Sequence, residues 1–311
     1  MDNRMISICI PTYKRARFLE QCISRIINQI ETARLQEVFE IVVFNDNGAD
    51  DTSRLMKKYQ RKYYYLRYFE SKKRFGLRKA IIHVASLAQA DYIWFFSDDD
   101  LPTYDAVSTL LKEIKRHHPD IVFGNVDDFN KNKVVRKNIF KLKKNIVLKD
   151  KKAFFYFLKN KIFSITYFVA YISNFIIRRK LYEQYASVND EYDSPYNMTP
   201  LITPVLYTPM NCNFLILKQT VVLRRIENES WTLNDPTEKI EFNSKVSNYH
   251  FGNIQRLNFK IIPIPLHLYF YMHRIKNRCI NTIAHLPLGF SIIHIYSLVE
   301  NFLYQTLIKL K

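Results

Sequence analysis

The chain has 311 residues, 48% of them hydrophobic and 24% charged, so it can bury one large core or two smaller ones, which excludes a disordered protein. Its 47 Lys and Arg residues against 29 Asp and Glu leave a formal net charge of +18, which favours anionic partners such as phosphates, nucleic acid or acidic lipid headgroups. A composition rich in Lys, Asn and Ile explains such an excess equally well, so charge alone does not identify the partner.

Short apolar strands alternate with amphipathic helices over roughly the first 130 residues. Strands are predicted at residues 5–10, 39–45, 63–70, 92–97 and 120–126, and helices around 19–30, from the turn at Gly48 to about Lys62, over 77–90 and over 104–118. Strands that are apolar throughout and alternate with helices are typical of a parallel sheet. The predicted fold class is therefore α/β, a doubly wound, mostly parallel sheet with helices on both faces.

The loops that follow three of these strands carry the polar signals. PTYKR follows the first strand, NDNGADD the second and SDDDLP the fourth. In open α/β sheets, ligands bind in the crevice beyond the carboxyl ends of the strands. We therefore expect the three loops to meet at one edge of the sheet.

The rest of the chain is less regular. Residues 131–152 hold ten basic residues and one acidic residue, which fits either a solvated edge hairpin or a flap that faces an anion. Residues 153–187 are predicted to be helical around a strand at ISNFIIRR, and 188–212 to form a long ordered loop near a site. From Phe259 the chain is aromatic and basic, and it ends in an amphipathic helix that docks on the protein or on a membrane surface.

Glycine and cysteine spacing exclude several kinds of site. With five glycines, the sequence has no G-x-G-x-x-G or G-x-x-x-x-G-K loop, which disfavours dinucleotide binding and P-loop chemistry. The cysteines Cys9, Cys22, Cys212 and Cys279 form no C-x-x-C pair and do not cluster with histidines. The apolar run that ends at Pro11 is too short for a secretory signal. We expect reduced cysteines and a cytoplasmic protein.

Three consecutive carboxylates, Asp98, Asp99 and Asp100, follow the fourth strand. Their mutual repulsion raises the free energy unless cations or several donors offset it. Carboxylate oxygens suit Mg²⁺ or Mn²⁺, which keep waters and add phosphate oxygens to complete their shell. Because adjacent side chains of an extended segment point to opposite sides, one or two of the three should face the ion. Capping of the helix that begins near Thr103 explains one aspartate but not three.

Three segments of the first 125 residues together resemble the nucleotide-binding half of family 2 glycosyltransferases. They are ISICIPTYKR, EIVVFNDNGADDTS and FGLRKAIIHVASLAQADYIWFFSDDDLP, in the family's order and with normal spacing. The resemblance implies a GT-A fold, Mn²⁺ or Mg²⁺ as cofactor, and transfer of a sugar from a UDP-linked donor. It also implies a glycan or lipid-linked saccharide as acceptor, in bacterial surface polysaccharide synthesis.

The resemblance also implies roles for residues near the nucleotide. The loop after the first strand would line the base and ribose, Asp46 would accept a hydrogen bond from a uracil ring N–H, and Arg78 or Arg74 would lie near the base or phosphates. The nucleotide-binding residues implied in this way are Pro11, Thr12, Tyr13, Arg15, Asp46, Arg78 and Asp98.

The family's Asp-x-Asp position falls within residues 97–100. In the preferred register, Asp98 is the ribose-side residue and Asp99 the metal ligand, with Asp100 as a second metal or water-shell ligand. A shift of one residue uses Asp98 and Asp100 instead.

An inverting member of such a family needs a carboxylate base that takes the proton of the acceptor hydroxyl. The segment VNDEYDSPY offers Glu191 and then Asp190, although a solvated acidic turn fits it as well. In VVLRRIENESW, Arg224 or Arg225 would meet the diphosphate or an acceptor phosphate. Trp231 would stack on a sugar face or have a structural role.

The expected organisation is a nucleotide-sugar-binding domain at 1–130, an acceptor-side portion at 131–258 that completes the catalytic domain, and a mainly helical C-terminal segment at 259–311. The basic second half suggests peripheral contact with an anionic membrane. Two alternatives stay open: an inactive nucleotide- or glycan-binding protein of this fold, and a nucleic-acid-binding module. The sequence has no RNA-binding aromatic motif or recognition-helix signature, so no nucleic-acid partner is expected.

Overall fold

The computed structural model describes residues 4–130, 133–160, 171–186, 201, 204–205 and 208–226. These residues all lie in the first of two compact units, Met1–Ser230. The predicted C-terminal helix and most of the loop predicted at 188–212 lie outside the described residues. The predicted domain boundaries stay a prediction.

The described residues form ten strands and six helices. The first part of the chain gives β1 Ile6–Thr12, α1 Ala16–Thr32, β2 Phe39–Asn45, α2 Thr52–Lys62, β3 Leu66–Glu70, α3 Leu77–Ser86, β4 Tyr92–Phe95, β5 Leu101–Pro102, α4 Ala106–His117 and β6 Ile121–Asn130. The second part gives β7 Lys133–Arg136, β8 Ile146–Leu148, α5 Lys151–Asn160, β9 Phe175–Arg178, α6 Arg179–Ala186 and β10 Phe214–Arg225.

The strands form one mixed sheet in the order β3-β2-β1-β4-β9-β6-β10-β5, with β7 paired to β6 and β8 to β10. The strands β1 to β4 are parallel, and β10 is parallel to β6. Because β9 is antiparallel to both β4 and β6, these two strands run in the same direction. The predicted mostly parallel sheet is therefore confirmed. The strand predicted at ISNFIIRR is β9, and its reversed direction at the centre of the sheet is what the sequence did not indicate.

Helices cover both faces of the sheet, as predicted. Helix α1 buries the stripe Leu19, Cys22, Ile23, Ile26, Ile27 and Ile30, and packs against α2 and α4. Helix α3 packs on β1 and β2. The connections through α1 and α2 lead in one direction along the sheet, from β1 to β2 and then to β3. The connection through α3 leads in the other direction, from β3 back to β4. Because such connections are right-handed, α3 lies on the face of the sheet opposite α1 and α2.

The core lies within the central strands. Every residue of β1, β2 and β4 is buried, which is what an apolar strand covered on both faces requires. Strand β1 continues through Pro11 to Thr12, and its pairing with β4 stops at Cys9, so the missing N–H of Pro11 lies beyond that ladder. Cys9, Cys22 and Cys212 are free and buried. Within the described part of the chain, the helices do not have the length and hydropathy needed to cross a bilayer.

Candidate functional site

Four strands deliver polar groups to one point at the carboxyl edge of the sheet. The backbone N–H of Asp46, after β2, donates to the carbonyl of Thr12 at the end of β1 (2.9 Å). The Thr12 hydroxyl donates to Asp98, after β4 (2.7 Å), and the backbone N–H of Arg225, at the end of β10, donates to Asp100 (3.0 Å). The three loops expected to meet therefore do so, joined by a strand the sequence did not predict.

Residues 97–100, called the acidic turn below, carry the three aspartates. Asp98 is buried and accepts hydrogen bonds from Thr12 on Oδ2 and from Arg15 Nη1 on Oδ1 (2.9 Å). Burial raises the pKa of Asp98 to about 6, against the opposing effect of the Arg15 charge. An ionised carboxylate here is costly, so added positive charge at this point is stabilising.

Asp99 and Asp100 have different surroundings. The side chain of Asp99 is 13% exposed and accepts hydrogen bonds from the Ser97 hydroxyl (2.6 Å) and from Arg15 Nη1 (2.9 Å). Asp100 is buried, and its oxygens accept from the Ser173 hydroxyl (2.6 Å) and from the Arg225 N–H. Burial, and then the charge of Asp99, raise the pKa of Asp100 to about 7.

The acidic turn fits a hard divalent cation. The atoms that could bind the metal are carboxylate oxygens. Each has two lone pairs, so an oxygen that accepts one hydrogen bond can still bind a metal ion. Among the residues described, no group of three or more His, Cys, Asp or Glu side chains is arranged to hold an ion by itself. A cation bound here would therefore complete its shell with water or with oxygens of a ligand.

Asp46 closes the loop before α3. Its side chain is buried, and its two oxygens accept from the backbone N–H groups of Phe75 (2.6 Å) and Gly76 (2.8 Å). Gly76 has a φ of 85°, in the left-handed region that favours glycine. Asp46 thus holds together β2 and the loop that leads into Arg78, which lies in the first turn of α3.

A cationic and aromatic cluster lies next to that loop. The Arg74 guanidinium is 4.2 Å from the centroid of the Tyr13 ring, and Lys14 Nζ is 5.4 Å from it. Pro11 is buried at the end of β1. Such a cluster offers a flat ring for stacking and positive charge for an anion.

The two arginines at the end of β10 have separate surroundings. Arg225 Nε donates to the carbonyl of Asp99 (3.0 Å), and its Nη2 donates to Gln21 of α1 (2.9 Å). Arg224 Nε donates to Asp128 (2.7 Å), which also accepts from Arg136 Nε (2.7 Å). Arg225 therefore ties the acidic turn to α1, and Arg224 ties β10 to β6.

Some of the predicted site residues lie outside the described part of the chain, and some residues of the site were not predicted. Glu191, Asp190 and Trp231 lie outside the described residues. Ser173 and Asp128 were not predicted as site residues, because a serine ahead of an apolar strand and an aspartate within one carry no local signal. In the basic segment, β7 is an exposed strand antiparallel to β6, which agrees with the edge-hairpin interpretation for Lys133–Arg136.

A family comparison covers most of this site. The family model described as Glycosyl transferase family 2 matches residues 7–186, more than half of the chain. The match runs from β1 to α6, so it includes the acidic turn and Ser173 but not Arg225.

Two curated relatives match part of the chain. Glycosyltransferase GlyA of Streptococcus pneumoniae serotype 4 is 30% identical over 125 residues, which are 40% of this chain and 17% of that protein. Abequosyltransferase RfbV of Salmonella typhimurium is 31% identical over 107 residues, which are 34% of this chain and 31% of that protein. The chain thus matches less than a third of the length of either relative.

A solved structure shares the fold. The crystal structure of residues 1–349 of S. aureus TarS in complex with UDP-GlcNAc superposes with a TM-score of 0.60 at 15% identity. The superposition covers 88% of this chain and 72% of that chain. It confirms the predicted GT-A-like architecture and, at this identity, concerns the fold alone.

Proposed function

The chain belongs to glycosyl transferase family 2, and on this premise we propose that it transfers a sugar from a UDP-linked donor to a glycan or lipid-linked saccharide acceptor. The setting of the proposed reaction is bacterial surface polysaccharide synthesis. The Salmonella relative is named for transfer of abequose, and the TarS structure of the same fold holds UDP-GlcNAc, which supports a nucleotide-sugar donor here.

The acidic turn is the observation that carries this proposal. It lies at the carboxyl edge of the sheet, where ligands of α/β folds bind, and next to Thr12 and Arg15. In the proposed arrangement Asp98 takes the ribose side, Asp99 is the metal ligand, and Asp100 is a second metal or water-shell ligand. Pro11, Thr12 and Tyr13 would line the base and ribose.

Asp46 and the nearby arginines complete the proposed donor site. Asp46 would position the loop against the base by holding the N–H groups of Phe75 and Gly76, with lone pairs left for a uracil N–H. Arg78 and Arg74 would lie near the base or the phosphates. Their positive charge favours a diphosphate.

The chemistry proposed is inverting displacement at the anomeric carbon. A Mn²⁺ or Mg²⁺ ion at the acidic turn would neutralise charge on the leaving diphosphate. Glu191 or Asp190 would take the proton of the acceptor hydroxyl as it attacks. Arg225 would hold the acidic turn, and Arg224 and Trp231 would lie toward the acceptor, on a cytoplasmic protein with peripheral contact to an anionic membrane.

Calorimetric titration with UDP in the presence and absence of Mn²⁺ tests the proposal. We expect Mn²⁺-dependent UDP binding that Asp99→Asn weakens about tenfold or more, because a charge-assisted contact contributes roughly 1.5–3 kcal/mol. Glu183→Gln, which neutralises a carboxylate of α6 that is 49% exposed, should leave UDP binding unchanged. The proposed transferase activity would be refuted if UDP binding did not depend on Mn²⁺. It would also be refuted if Asp99→Ala released UDP from a UDP-sugar substrate as fast as wild type does.

A further inference from the structure

We infer that Ser173 is a positioning residue that fixes both ends of the acidic turn and thereby sets the direction in which Asp99 faces the cation. This inference rests on the proposed function of the turn as a cation site. Ser173 is itself fully buried, so it acts through the turn and does not touch the donor.

One hydroxyl group joins the first and last residues of the acidic turn. Ser173 Oγ donates to Asp100 Oδ2 (2.6 Å) and accepts the backbone N–H of Ser97 (2.9 Å). A serine hydroxyl has one proton and two lone pairs, so these two bonds use its single proton and one of its acceptor positions. Asp99, the most exposed of the three aspartates, lies between the two fixed ends.

Ser173 is held by the same strand that delivers the turn. It lies in the 3-10 turn Ile172–Asn174, immediately before β9. Its carbonyl accepts a hydrogen bond from Trp94 Nε1 (2.7 Å), and Trp94 pairs with Ile176 in the ladder between β4 and β9. Because Trp94 is fully buried, the position of Ser173 relative to β4 is determined by the core of the sheet.

A second contact restrains the turn from β10. Arg225 donates its backbone N–H to Asp100 Oδ1 and its Nε to the carbonyl of Asp99. Both oxygens of Asp100 are therefore hydrogen-bonded to the protein. Loss of the Ser173 hydroxyl would leave Asp100 held from one side and the N–H of Ser97 without its partner. Ser97 Oγ and Arg15 Nη1 would still contact the Asp99 carboxylate, but the turn that carries Asp99 would be held less firmly.

The opposite edge of the sheet supplies a matched control. Ser7 Oγ donates to Glu40 Oε1 (2.5 Å) and accepts the backbone N–H of Ala90 (3.0 Å), and Ser7 is also fully buried. Ser7→Ala removes the same pair of bonds, a hydroxyl to a carboxylate and a backbone N–H to a hydroxyl, near the amino end of β1. If Ser173 had a purely structural role, Ser173→Ala and Ser7→Ala would have the same effect on Mn²⁺ affinity.

The test compares Mn²⁺ binding by full-length wild type, Ser173→Ala and Ser7→Ala, using electron paramagnetic resonance with Mn²⁺ and UDP as the probes. Removing a residue that supports a metal ligand typically weakens the site by roughly 10–100-fold, so we expect Ser173→Ala to lose at least about tenfold in Mn²⁺ affinity. Ser7→Ala should lose less than about twofold, while both variants lower the melting temperature.

The outcomes separate this inference from the proposed function. If wild type does not bind Mn²⁺ with UDP, the proposed function and the inference both fail. If wild type binds and Ser173→Ala binds equally well, the inference alone is overturned. Should Ser173→Ala not fold, Ser173→Cys fills the position with a slightly larger side chain that is a weaker hydrogen-bond donor, and the same loss of Mn²⁺ affinity is expected of it.

Discussion

One nitrogen of Arg15 contacts two of the three aspartates. Nη1 lies 2.9 Å from Asp98 Oδ1 and 2.9 Å from Asp99 Oδ2, and the Arg15 side chain is 15% exposed. Burial lowers the pKa of Arg15, but the negative charges of Asp98 and Asp99 raise it by more than burial lowers it. The guanidinium therefore stays protonated. Arg15 therefore supplies part of the positive charge that the acidic turn needs.

Arg15→Gln should destabilise the protein and increase its response to a cation. Removing one partner of a buried ion pair costs about 3 kcal/mol, because it leaves the carboxylates in the protein interior without their positive partner. We expect a lower unfolding free energy in urea with chelator present, and a larger gain on adding Mn²⁺ than wild type shows. Arg54→Gln, which removes an arginine side chain that is 83% exposed, should change neither quantity. An equal Mn²⁺ response in Arg15→Gln and wild type would contradict this role.

The raised pKa values of Asp98 and Asp100 predict a pH dependence of stability. Their pKa values in the folded protein, about 6 and about 7, exceed the ordinary value of 3.8, so the folded protein holds protons that the unfolded chain releases. Their contribution to stability is therefore fully present below about pH 4 and is lost as the pH rises through 6 to 7.

Asp100→Asn tests this sign, because the amide cannot ionise. Between pH 5 and pH 8 in chelator, we expect the unfolding free energy of the variant to rise relative to wild type by roughly 2 kcal/mol. Glu183→Gln provides the comparison at an exposed carboxylate. A constant difference between Asp100→Asn and wild type across this range would show that Asp100 is ionised throughout.

At the scale of elements, β6 and β10 lie too close together at Gly124 to admit a side chain. A Cβ added to Gly124 of β6 would lie 2.2 Å from Val221 Cγ2 of β10. The register of this pair shifts between Ile216 and Thr220 and again before Val222. Across these shifts β10 uses three more residues than β6, which places Arg224 and Arg225 opposite Asp128 and Phe129.

Gly124→Ala should overpack this pair and lower the unfolding free energy by about 1–3 kcal/mol. Val221→Ala in the same chain should restore part of that loss, because it removes the methyl group that the new Cβ would meet. A double-mutant cycle measured in urea gives the coupling between the two positions. Additive effects would mean that the backbone moves apart and leaves Val221 where it is.

Sequence patterns predicted local burial well and pairing poorly. Strand β2 was found with its observed bounds, because FEIVVFN is a continuous apolar run that ends at turn residues. Strand β10 was not predicted, because Lys218 and Gln219 interrupt its apolar run. Three adjacent aspartates in the sequence indicated the acidic turn. Ser173 lies 73 residues beyond Asp100 in the sequence, so its contact with the turn can be recognised only from the folded structure.

At the scale of the whole molecule, one sheet extends across the boundary expected at residue 130. Strand β6 pairs only with strands that follow it in the chain, namely β7, β9 and β10, within the part that the structure describes. Strand β4 likewise has β9 on its side away from β1. The first 130 residues thus contain the carboxylates but lack the strands that cover them.

A fragment of residues 1–130 should therefore not fold cooperatively. It would expose Ile121, Val122 and Phe123, which are fully buried in the whole chain, and each costs roughly 1.5–3 kcal/mol when left in water. We expect a broad thermal transition by circular dichroism and binding of a hydrophobic dye, compared with a sharp transition for the full chain. A sharp transition together with Mn²⁺-dependent UDP binding by the fragment would establish an independent nucleotide-binding domain.

The long return of the chain to the acidic turn also sets an order of events during synthesis. Arg225 is added 125 residues after Asp100. At about 5–20 residues per second, the ribosome takes roughly 6–25 seconds to add them. For that time the nascent polypeptide carries three neighbouring carboxylates without the Arg225 backbone N–H that later holds Asp100, and for the first 73 residues it also lacks the Ser173 hydroxyl. A newly made chain therefore acquires the complete site only after Arg225 has been added.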